Sequence, residues 1–317
     1  STFTGSLLSV EKSKYVYLMK LTCTKEGLLS DIRKRPFPKL NIEHISKVTI
    51  NNSYFVNMNG IEMSDIKMIT ISLTNFRTCR CAIGIRNHIY AYMTVEITKT
   101  QIIECFCMKD RSPLHIKFMC YSAKDSNAVV LLSQVVINHC YSKFKGGAFS
   151  LHKGGHRRCK KYTNVTCIIT AGLFQNNTSE SEGGSLYVLS IEQVVIKQSK
   201  FLRNNGIIGG GMYIENVEYV LQDQISMEAN SAIYVGGGLY GTDLMHIVCK
   251  TVSFKENNAK ESGGAMSLQH SRFIEINYGK ILSNKAALYG GGIRMIYCFK
   301  IFITNSFVSN NKTNKMG

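Results

Sequence analysis

Four cysteines in the first third of the chain have a spacing that can support chemistry. They form two C-x-C pairs, with equivalent residues 26 positions apart: Cys79 and Cys81, then Cys105 and Cys107. If successive segments of this length stack on one another, the four thiols lie close together. They can then bind zinc, form disulfides between neighbouring segments, or fill small core positions as buried free thiols. The chain has eleven cysteines, so at least one lacks an intramolecular disulfide partner.

Positive charge is the second feature that could serve a function. The chain carries 38 Lys and Arg against 21 Asp and Glu, a formal net charge of +17. Most of these residues are dispersed, which is typical of solvated strand faces, and no basic face interleaved with aromatics indicates sequence-specific nucleic-acid binding. One dense segment is a candidate site for a polyanion such as an anionic glycan or acidic lipid: Arg157, Arg158, Lys160 and Lys161. Cys159 and Cys167 flank part of this segment, and a disulfide between them would close it in an oxidising compartment.

Catalytic groups are sparse. Enzymes that cleave acidic polysaccharides need clustered carboxylates, which either hold Ca²⁺ or act as an acid–base pair. Only Glu192 and Glu218 recur at a spacing that would stack them, and the histidines show no ligand spacing with an acid or cysteine. Serine-nucleophile, phosphate-loop and zinc-helix motifs are absent. We therefore assign no catalytic, cofactor-binding or metal-binding residue, expect no cofactor, and predict a non-enzymatic protein, with a polysaccharide lyase or hydrolase as the alternative.

Any such side chains must be positioned by a repeat that fills the second half of the chain. Short glycine stretches begin at Gly146 and then recur every 26 or 27 residues after a first step of 37. The paired glycines are Gly146 and Gly147, Gly183 and Gly184, Gly209 and Gly210, Gly236 and Gly237, Gly263 and Gly264, and Gly290 and Gly291. Paired glycines suit a sharp corner where φ is positive or where a side chain would collide with the neighbouring segment.

A second marker keeps the same interval. It is an apolar residue followed three positions later by Asn: Phe174/Asn177, Phe201/Asn204, Met227/Asn230, Phe254/Asn257, Ile281/Asn284 and Phe307/Asn310. Between the markers lie segments of five to seven residues with alternating polar and apolar side chains, the pattern of short strands. Three short strands per repeat predict one turn, here called a rung, of an all-β parallel β-helix. Equivalent residues then stack in columns, with an apolar column in the core and an Asn column that forms hydrogen bonds between rungs.

The same interval continues upstream in weaker form. Ile50/Ser53, Phe76/Cys79, Ile102/Cys105 and Ile137/Cys140 occupy the marker positions, with longer steps that imply insertions of about eight and ten residues. We predict a single array over residues 1–317, with degenerate rungs at 1–136 and regular rungs at 137–317. The array has about ten or eleven rungs of ~27 residues. We expect a fragment of a longer protein and, because no apolar run approaches ~18 residues, no transmembrane segment.

The paired glycines and the Phe-x-x-Asn marker together resemble a known repeat family. Gly146-Gly147-Ala148-Phe149, Gly263-Gly264-Ala265-Met266 and the Phe201/Asn204 type of marker are similar to the repeats of chlamydial polymorphic outer membrane proteins and of related trichomonad-like protist surface proteins. The match covers residues 137–311. It implies a right-handed, pectin-lyase-like parallel β-helix that is displayed at a cell surface or outside the cell. It also implies an adhesive role, in which loops and a basic face contact glycans or proteins of a host or neighbouring cell.

Overall fold

The chain forms an all-β structure whose strands pair in parallel, as the alternating segments predict. The computed structural model describes residues 2–3, 8–11, 15–19, 22–24, 39–88, 92–108, 111–120, 126–155 and 163–314. Within these residues there is no helix, and every strand pairing between named strands is parallel. No helix in this part of the chain is therefore long and apolar enough to cross a membrane. Three long parallel sheets are what a β-solenoid requires, and the all-β parallel architecture is confirmed.

Sheet I has twelve strands and carries the apolar-x-x-Asn marker. Its strands are Thr2–Phe3, Thr22–Thr24, Tyr54–Val56, Asn75–Arg77, Gln101–Ile103, Val136–Asn138, Leu173–Gln175, Lys200–Leu202, Ser226–Glu228, Ser253–Lys255, Lys280–Leu282 and Phe307–Ser309. Sheet III has eight two-residue strands, which follow those of sheet I along the chain. They are Phe106–Cys107, Tyr141–Ser142, Thr178–Ser179, Asn205–Gly206, Ser231–Ala232, Asn258–Ala259, Lys285–Ala286 and Lys312–Thr313.

Sheet II has twenty strands arranged in two rows. Row IIa contains Leu8–Glu11, Leu40–Glu43, Ile61–Ser64, Ile83–His88, Leu114–Cys120, Phe149–Gly155, Leu186–Leu189, Met212–Asp223, Leu239–Lys250, Met266–Gln269 and Ile293–Ile296. Row IIb contains Tyr15–Met19, Lys47–Asn51, Met68–Ser72, Met93–Thr98, Ser126–Ser133, Thr163–Thr170, Gln193–Lys197, Phe273–Asn277 and Lys300–Thr304. The two 12-residue strands, Met212–Asp223 and Leu239–Lys250, pair with both rows and so join them.

The core is built from columns of in-register apolar side chains. In sheet I, Phe174 pairs with Phe201, and their rings stack with centroids 4.7 Å apart. The column continues in register to Met227, Phe254 and Ile281, and all of these side chains are buried. Alternating residues of rows IIa and IIb supply the other walls, as their buried–intermediate pattern shows. Burial of these side chains is the main force that holds the rungs together.

The asparagines form a continuous hydrogen-bonded ladder beside this core. The side-chain amide of Asn204 donates to Asn230 Oδ1 at 2.9 Å and to the Phe174 carbonyl at 3.0 Å. Its Oδ1 accepts from both the backbone and the side-chain amide of Asn177, at 3.0 and 3.1 Å. All four bonds recur at Asn230, Asn257 and Asn284. These hydrogen bonds replace those the buried amide would make to water and so offset the cost of its desolvation.

The turns depend on left-handed backbone conformations. Non-glycine residues with φ near +50° stack in columns, such as Asn176, Arg203, Ala229 and Glu256 after the strands of sheet I. The paired glycines need their missing side chain for two reasons. Gly183 has a φ of 67°, and a Cβ on Gly184 would overlap the carbonyl oxygen of Gly210 on the next rung.

Two of the predicted column positions are wrong in register. Ile50 lies in row IIb, where it pairs with Ile71, and the sheet I column is occupied by Phe55, which stacks on Phe76. At the other end, Lys280 pairs with Phe307, so Val308 and not Phe307 continues the column. Asn284 accordingly donates to Asn311 and not to Asn310.

Both errors have a physical cause. The early turn from Phe55 to Phe76 spans 21 residues because it lacks the sheet III strand and has the single Gly60 in place of a glycine pair, so a fixed interval of about 26 overshoots it. At the other end, the pattern favoured the aromatic Phe307, although the inward position on the last strand of sheet I needs only an apolar residue, here Val308. Phe307 is 62% exposed, and Asn310 adopts a φ of 57° in the turn.

Candidate functional site

The four clustered cysteines divide into two kinds. Cys81 and Cys107 form a disulfide, with Cα atoms 4.9 Å apart on neighbouring rungs. Cys79 and Cys105 are buried free thiols in the column that asparagines occupy further along, and the Cys79 backbone N–H donates to Cys105 Sγ. The hydrogen bond to Cys105, followed by burial, raises the pKa of Cys79, and burial raises that of Cys105. Because Cys81 and Cys107 are joined to each other, these two thiols are not available as metal ligands, and no group of three or more potential metal ligands occurs in the described part of the chain.

The predicted Cys159–Cys167 disulfide is wrong. Cys167 is a free thiol at an inward position of strand Thr163–Thr170, in register with Val130 and Val194. Its side chain is packed in the core, and burial raises its pKa to about 12, so it behaves as a small apolar residue. The four basic residues of the same segment lie outside the described residues: Arg157, Arg158, Lys160 and Lys161. The strand that precedes them ends at Gly155.

A pocket opens on the outward face of row IIa, where three consecutive strands meet the segment before the first glycine pair. Its volume is about 270 Å³, near the small end of the range for small-molecule sites. It is lined by His115, Phe144, Lys145, Ser150, His152, Tyr187 and Leu189. His115, Ser150 and Tyr187 occupy one column of adjacent strands, and their outward direction follows from the strand alternation.

A chain of hydrogen bonds determines which nitrogen of His115 carries the proton. Ser112 Oγ contacts the Leu114 carbonyl, which can only accept, so the Ser112 hydroxyl donates there. The 2.8 Å bond between Ser112 Oγ and Ser150 Oγ must then use the Ser150 proton. The 2.8 Å bond between Ser150 Oγ and His115 Nδ1 therefore requires Nδ1–H as the donor. The neutral His115 consequently has an unprotonated Nε2, which can accept a hydrogen bond from a ligand.

The surroundings keep His115 neutral. Burial, followed by the charges of His152, Arg111, Arg86 and Lys117, lowers its pKa to about 3. The ring is only 4% exposed, and its centroid lies 5.6 Å from that of His152 on the next strand. His115 is therefore a neutral acceptor at any physiological pH.

Lys145 supplies a cation at the opposite side of the pocket. Its Nζ lies 4.7 Å from the centroid of the Tyr187 ring and donates to the Tyr187 hydroxyl at 3.0 Å. Glu182 lies 3.7 Å away, and the side chain of Lys145 is still 46% exposed. Burial alone would lower the pKa of Lys145, but the bond to Tyr187 and the nearby Glu182 and Glu215 carboxylates outweigh it and raise the pKa. The lysine is thus fully charged and open to solvent.

Tyr187 belongs to a stack of tyrosines that stiffens this wall. Its ring centroid is 5.2 Å from that of Tyr213, which is itself 5.2 Å from that of Tyr240. The rings are nearly buried, and Leu189 and Ile208 pack against them. Such stacked rings hold Tyr187 in one orientation, so the pocket has a preformed apolar wall.

The pocket lies beside further positive charge. Arg86 is in register with Lys117, and Lys117 with His152, so three basic side chains stack in the neighbouring outward column. Among the described residues, neither Arg86 nor Lys117 has a carboxylate within 4.0 Å. Arg111, by contrast, is paired with Glu62. The local field therefore attracts an anion and disfavours a metal cation.

The carboxylates that might have formed a catalytic pair are engaged in structural contacts or lie away from this pocket. Glu192 forms an ion pair with the buried Lys153, and its Oε2 accepts from the Val165 backbone at 2.7 Å. Neither Glu192 nor Glu218 lines the pocket, and the lining contains no acidic residue. The arrangement accordingly offers a neutral acceptor, an apolar wall and cations, which suit binding of an anionic molecule that has a ring or hydroxyl groups.

The sequence analysis did not identify His115, Ser150, Lys145 or Tyr187. A signal was available, because Tyr187, Tyr213 and Tyr240 each follow the first glycine of a pair by four residues. Ser150 has the same position after Gly146, and His115 is its register partner across an irregular step of 35 residues. No known protein-family model matches the chain, and comparison with curated proteins finds no significant match.

Proposed function

We propose that this chain is a surface-displayed, adhesive β-helix that binds acidic glycans at the His115–Tyr187 pocket. In this proposal the helix is right-handed and pectin-lyase-like, with about ten or eleven rungs of ~27 residues. Register partners 27 residues apart, such as Phe174 and Phe201, support the rung length. Parallel strands joined by crossover connections are almost always right-handed, which supports the handedness.

The observation that carries the proposal is that a neutral acceptor, His115, and a half-exposed cation, Lys145, line one pocket beside the basic column of Arg86 and Lys117. A sugar ring can pack on Phe144 and Tyr187, and one of its hydroxyls can donate to His115 Nε2. Its carboxylate or sulfate can then contact Lys145 and reach the column of Arg86 and Lys117. Four further basic residues follow Gly155 in the sequence, outside the described residues: Arg157, Arg158, Lys160 and Lys161.

The chemistry of the pocket favours binding over the alternative, cleavage of an acidic polysaccharide. An efficient general base has a pKa near the working pH, whereas that of His115 is about 3. Glycoside hydrolysis uses two carboxyl groups beside the scissile bond, and the lining residues include none. Release of unsaturated or reducing-end products from an acidic polysaccharide by the purified protein would favour the enzymatic alternative.

The Cys81–Cys107 disulfide supports display outside the cytosol. Disulfides persist in oxidising compartments and are rare in reducing ones. The cysteines that remain free and buried, such as Cys79, Cys105 and Cys167, are shielded from exchange by the core. Peptide mapping of the natural protein without reducing agent should recover Cys81 linked to Cys107, and their recovery as free thiols would count against this location.

Glycan binding can be tested by calorimetric titration with uronic-acid-containing and sulfated oligosaccharides. We expect Lys145→Met to weaken binding about tenfold, which corresponds to the loss of one charge-assisted hydrogen bond of about 1.4 kcal/mol. His115→Asn should have a similar effect, because it keeps a donor for Ser150 and removes the Nε2 acceptor.

The matched control is Lys143→Met, which alters an exposed lysine two residues from Lys145 that does not line the pocket. It should leave the affinity unchanged. If the Lys143 and Lys145 variants weaken glycan binding equally, the effect arises from general surface charge and not from the pocket. Wild-type affinity in both pocket variants would reject the pocket as the site.

A further inference from the structure

A second basic depression lies on sheet III, near the end of the described chain. It has a volume of about 440 Å³ and is lined chiefly by Lys260, Lys285, Lys312, Asn258 and Asn314. We call it the lysine trough. It lies on strands that follow sheet I, whereas the His115–Tyr187 pocket lies on row IIa, so the two sites use different residues and different strands.

The strand register explains how the trough is formed. Asn258 pairs with Lys285, and Lys285 pairs with Lys312, so these three side chains form one column on adjacent strands. The next column contains Ala259 and Ala286, which are buried and line the depression. The strand alternation turns the alanine side chains inward, so the exposed lysines alone project outward and their ammonium groups can surround a ligand at the surface.

The lysines of the trough are not paired with any acidic side chain among the described residues. In the part of the chain that the structure describes, no carboxylate lies within 4.0 Å of Lys260, Lys285 or Lys312, and none lines the depression. Like charges directly opposite one another on paired strands are destabilising. An anion held between Lys285 and Lys312 would turn this repulsion into attraction.

We propose that the lysine trough binds a tetrahedral oxyanion, either a phosphate or a sulfate group. Such a group presents several oxygens in different directions, which suits three ammonium donors together with the amide donors of Asn258 and Asn314. A carboxylate has only two oxygens in one plane and satisfies fewer of these donors. The trough has no aromatic wall, so it recognises the charged group itself and not the ring that bears it.

The site can be tested by NMR titration of the chain with sodium phosphate, sodium sulfate and a sulfated disaccharide, with sodium chloride adjusted to constant ionic strength. We expect saturable shifts at the amides of Asn258 and Asn314. The double variant Lys285→Ala/Lys312→Ala should bind at least tenfold more weakly. The control Lys200→Ala/Lys280→Ala alters exposed lysines on sheet I and should retain wild-type affinity.

Several outcomes distinguish the source of the anion and the validity of the site. Tighter binding of the disaccharide than of sulfate assigns the site to a polysaccharide-borne group, and equal binding assigns it to a free ion. The thermal midpoint of the double variant without anion should equal or exceed that of the wild type, because repulsion is removed. Equal affinity in the double variant, or no saturable response in the wild type, would overturn the proposal.

Discussion

His115 should make the stability of the chain depend on pH in a way that a single substitution removes. In the variant His115→Asn, the side-chain amide can still donate to Ser150, but the side chain at position 115 no longer binds a proton. The unfolded chain gains a proton on His115 as the pH falls below 6.5, whereas the folded chain gains it only near pH 3. The unfolded state thus binds more protons between these values, and the free energy of unfolding falls as the pH falls.

The size of the effect follows from the shift. Each pH unit in this window costs about 1.4 kcal/mol when the unfolded state holds one extra proton. Between pH 7.5 and 4.5, His115 alone should remove about 2.7 kcal/mol from the stability of the wild type. The contribution of neutral His115 to the free energy of unfolding is present above pH 6.5 and is lost progressively down to pH 3, as expected for a group with a depressed pKa.

Urea unfolding of both proteins at pH 7.5, 6.5, 5.5 and 4.5 measures this quantity. The carboxylates are common to both chains and cancel in the difference, so the wild-type advantage over His115→Asn should shrink by about 2.7 kcal/mol towards the lowest pH. Nitrogen NMR of the imidazole gives an independent measurement and should show the proton on Nδ1. A difference that stays constant with pH, or a wild-type His115 that titrates near 6.5, would refute the reasoning.

Four further substitutions test the architecture. Phe201→Asp buries an unpaired charge in the core column and should cost more than about 4 kcal/mol in chemical unfolding; a wild-type midpoint would contradict the column. Asn204→Ala leaves the Asn177 backbone N–H without its acceptor and should cost about 2–4 kcal/mol, with faster amide exchange at Asn177; unchanged protection there would argue against the ladder. Gly184→Ala should prevent folding because its Cβ meets the Gly210 carbonyl, so a soluble variant of native stability would exclude this close approach. Cys81→Ser opens a link across 26 residues and should lower stability by about 3 kcal/mol; reduction of the wild type should have the same effect, and indifference to reductant would rule out the disulfide.

The regular half of the fold could be predicted because its two markers arise from stacking itself. A buried Asn such as Asn204 is satisfied only if the next rung places Asn230 directly beside it, so the interval in the sequence reports the register in space. The prediction failed where other residues satisfy the same requirement. Phe55 continues the column without the expected partner or interval, so the fixed interval assigned Ile50 instead. Val308 keeps both the interval from Ile281 and the partner Asn311, but the neighbouring Phe307 and Asn310 also fit a pattern anchored on Phe and Asn.

The candidate site was harder to predict because its members share no motif. His115, Ser150 and Tyr187 are neighbours only through strand pairing, and irregular turns of different length separate them along the chain. The protonation of His115 depends on which way the Ser112 hydroxyl points, and this follows from its contact with the Leu114 carbonyl. The residue types alone therefore do not predict which nitrogen of His115 carries the proton.

Chain length is constant between row IIb and sheet I and varies in the rest of the rung. The inward residue of row IIb always precedes the sheet I column by five positions, as Ile71 precedes Phe76 and Ile196 precedes Phe201. Between rows IIa and IIb, by contrast, the connection grows from eight residues after Leu186 to eighteen after Phe149. The step from row IIb to sheet I is thus invariant, while the connections elsewhere in the rung differ in length. Recognition can diversify by insertion between rows IIa and IIb, one rung at a time, while the invariant step keeps the rungs in register.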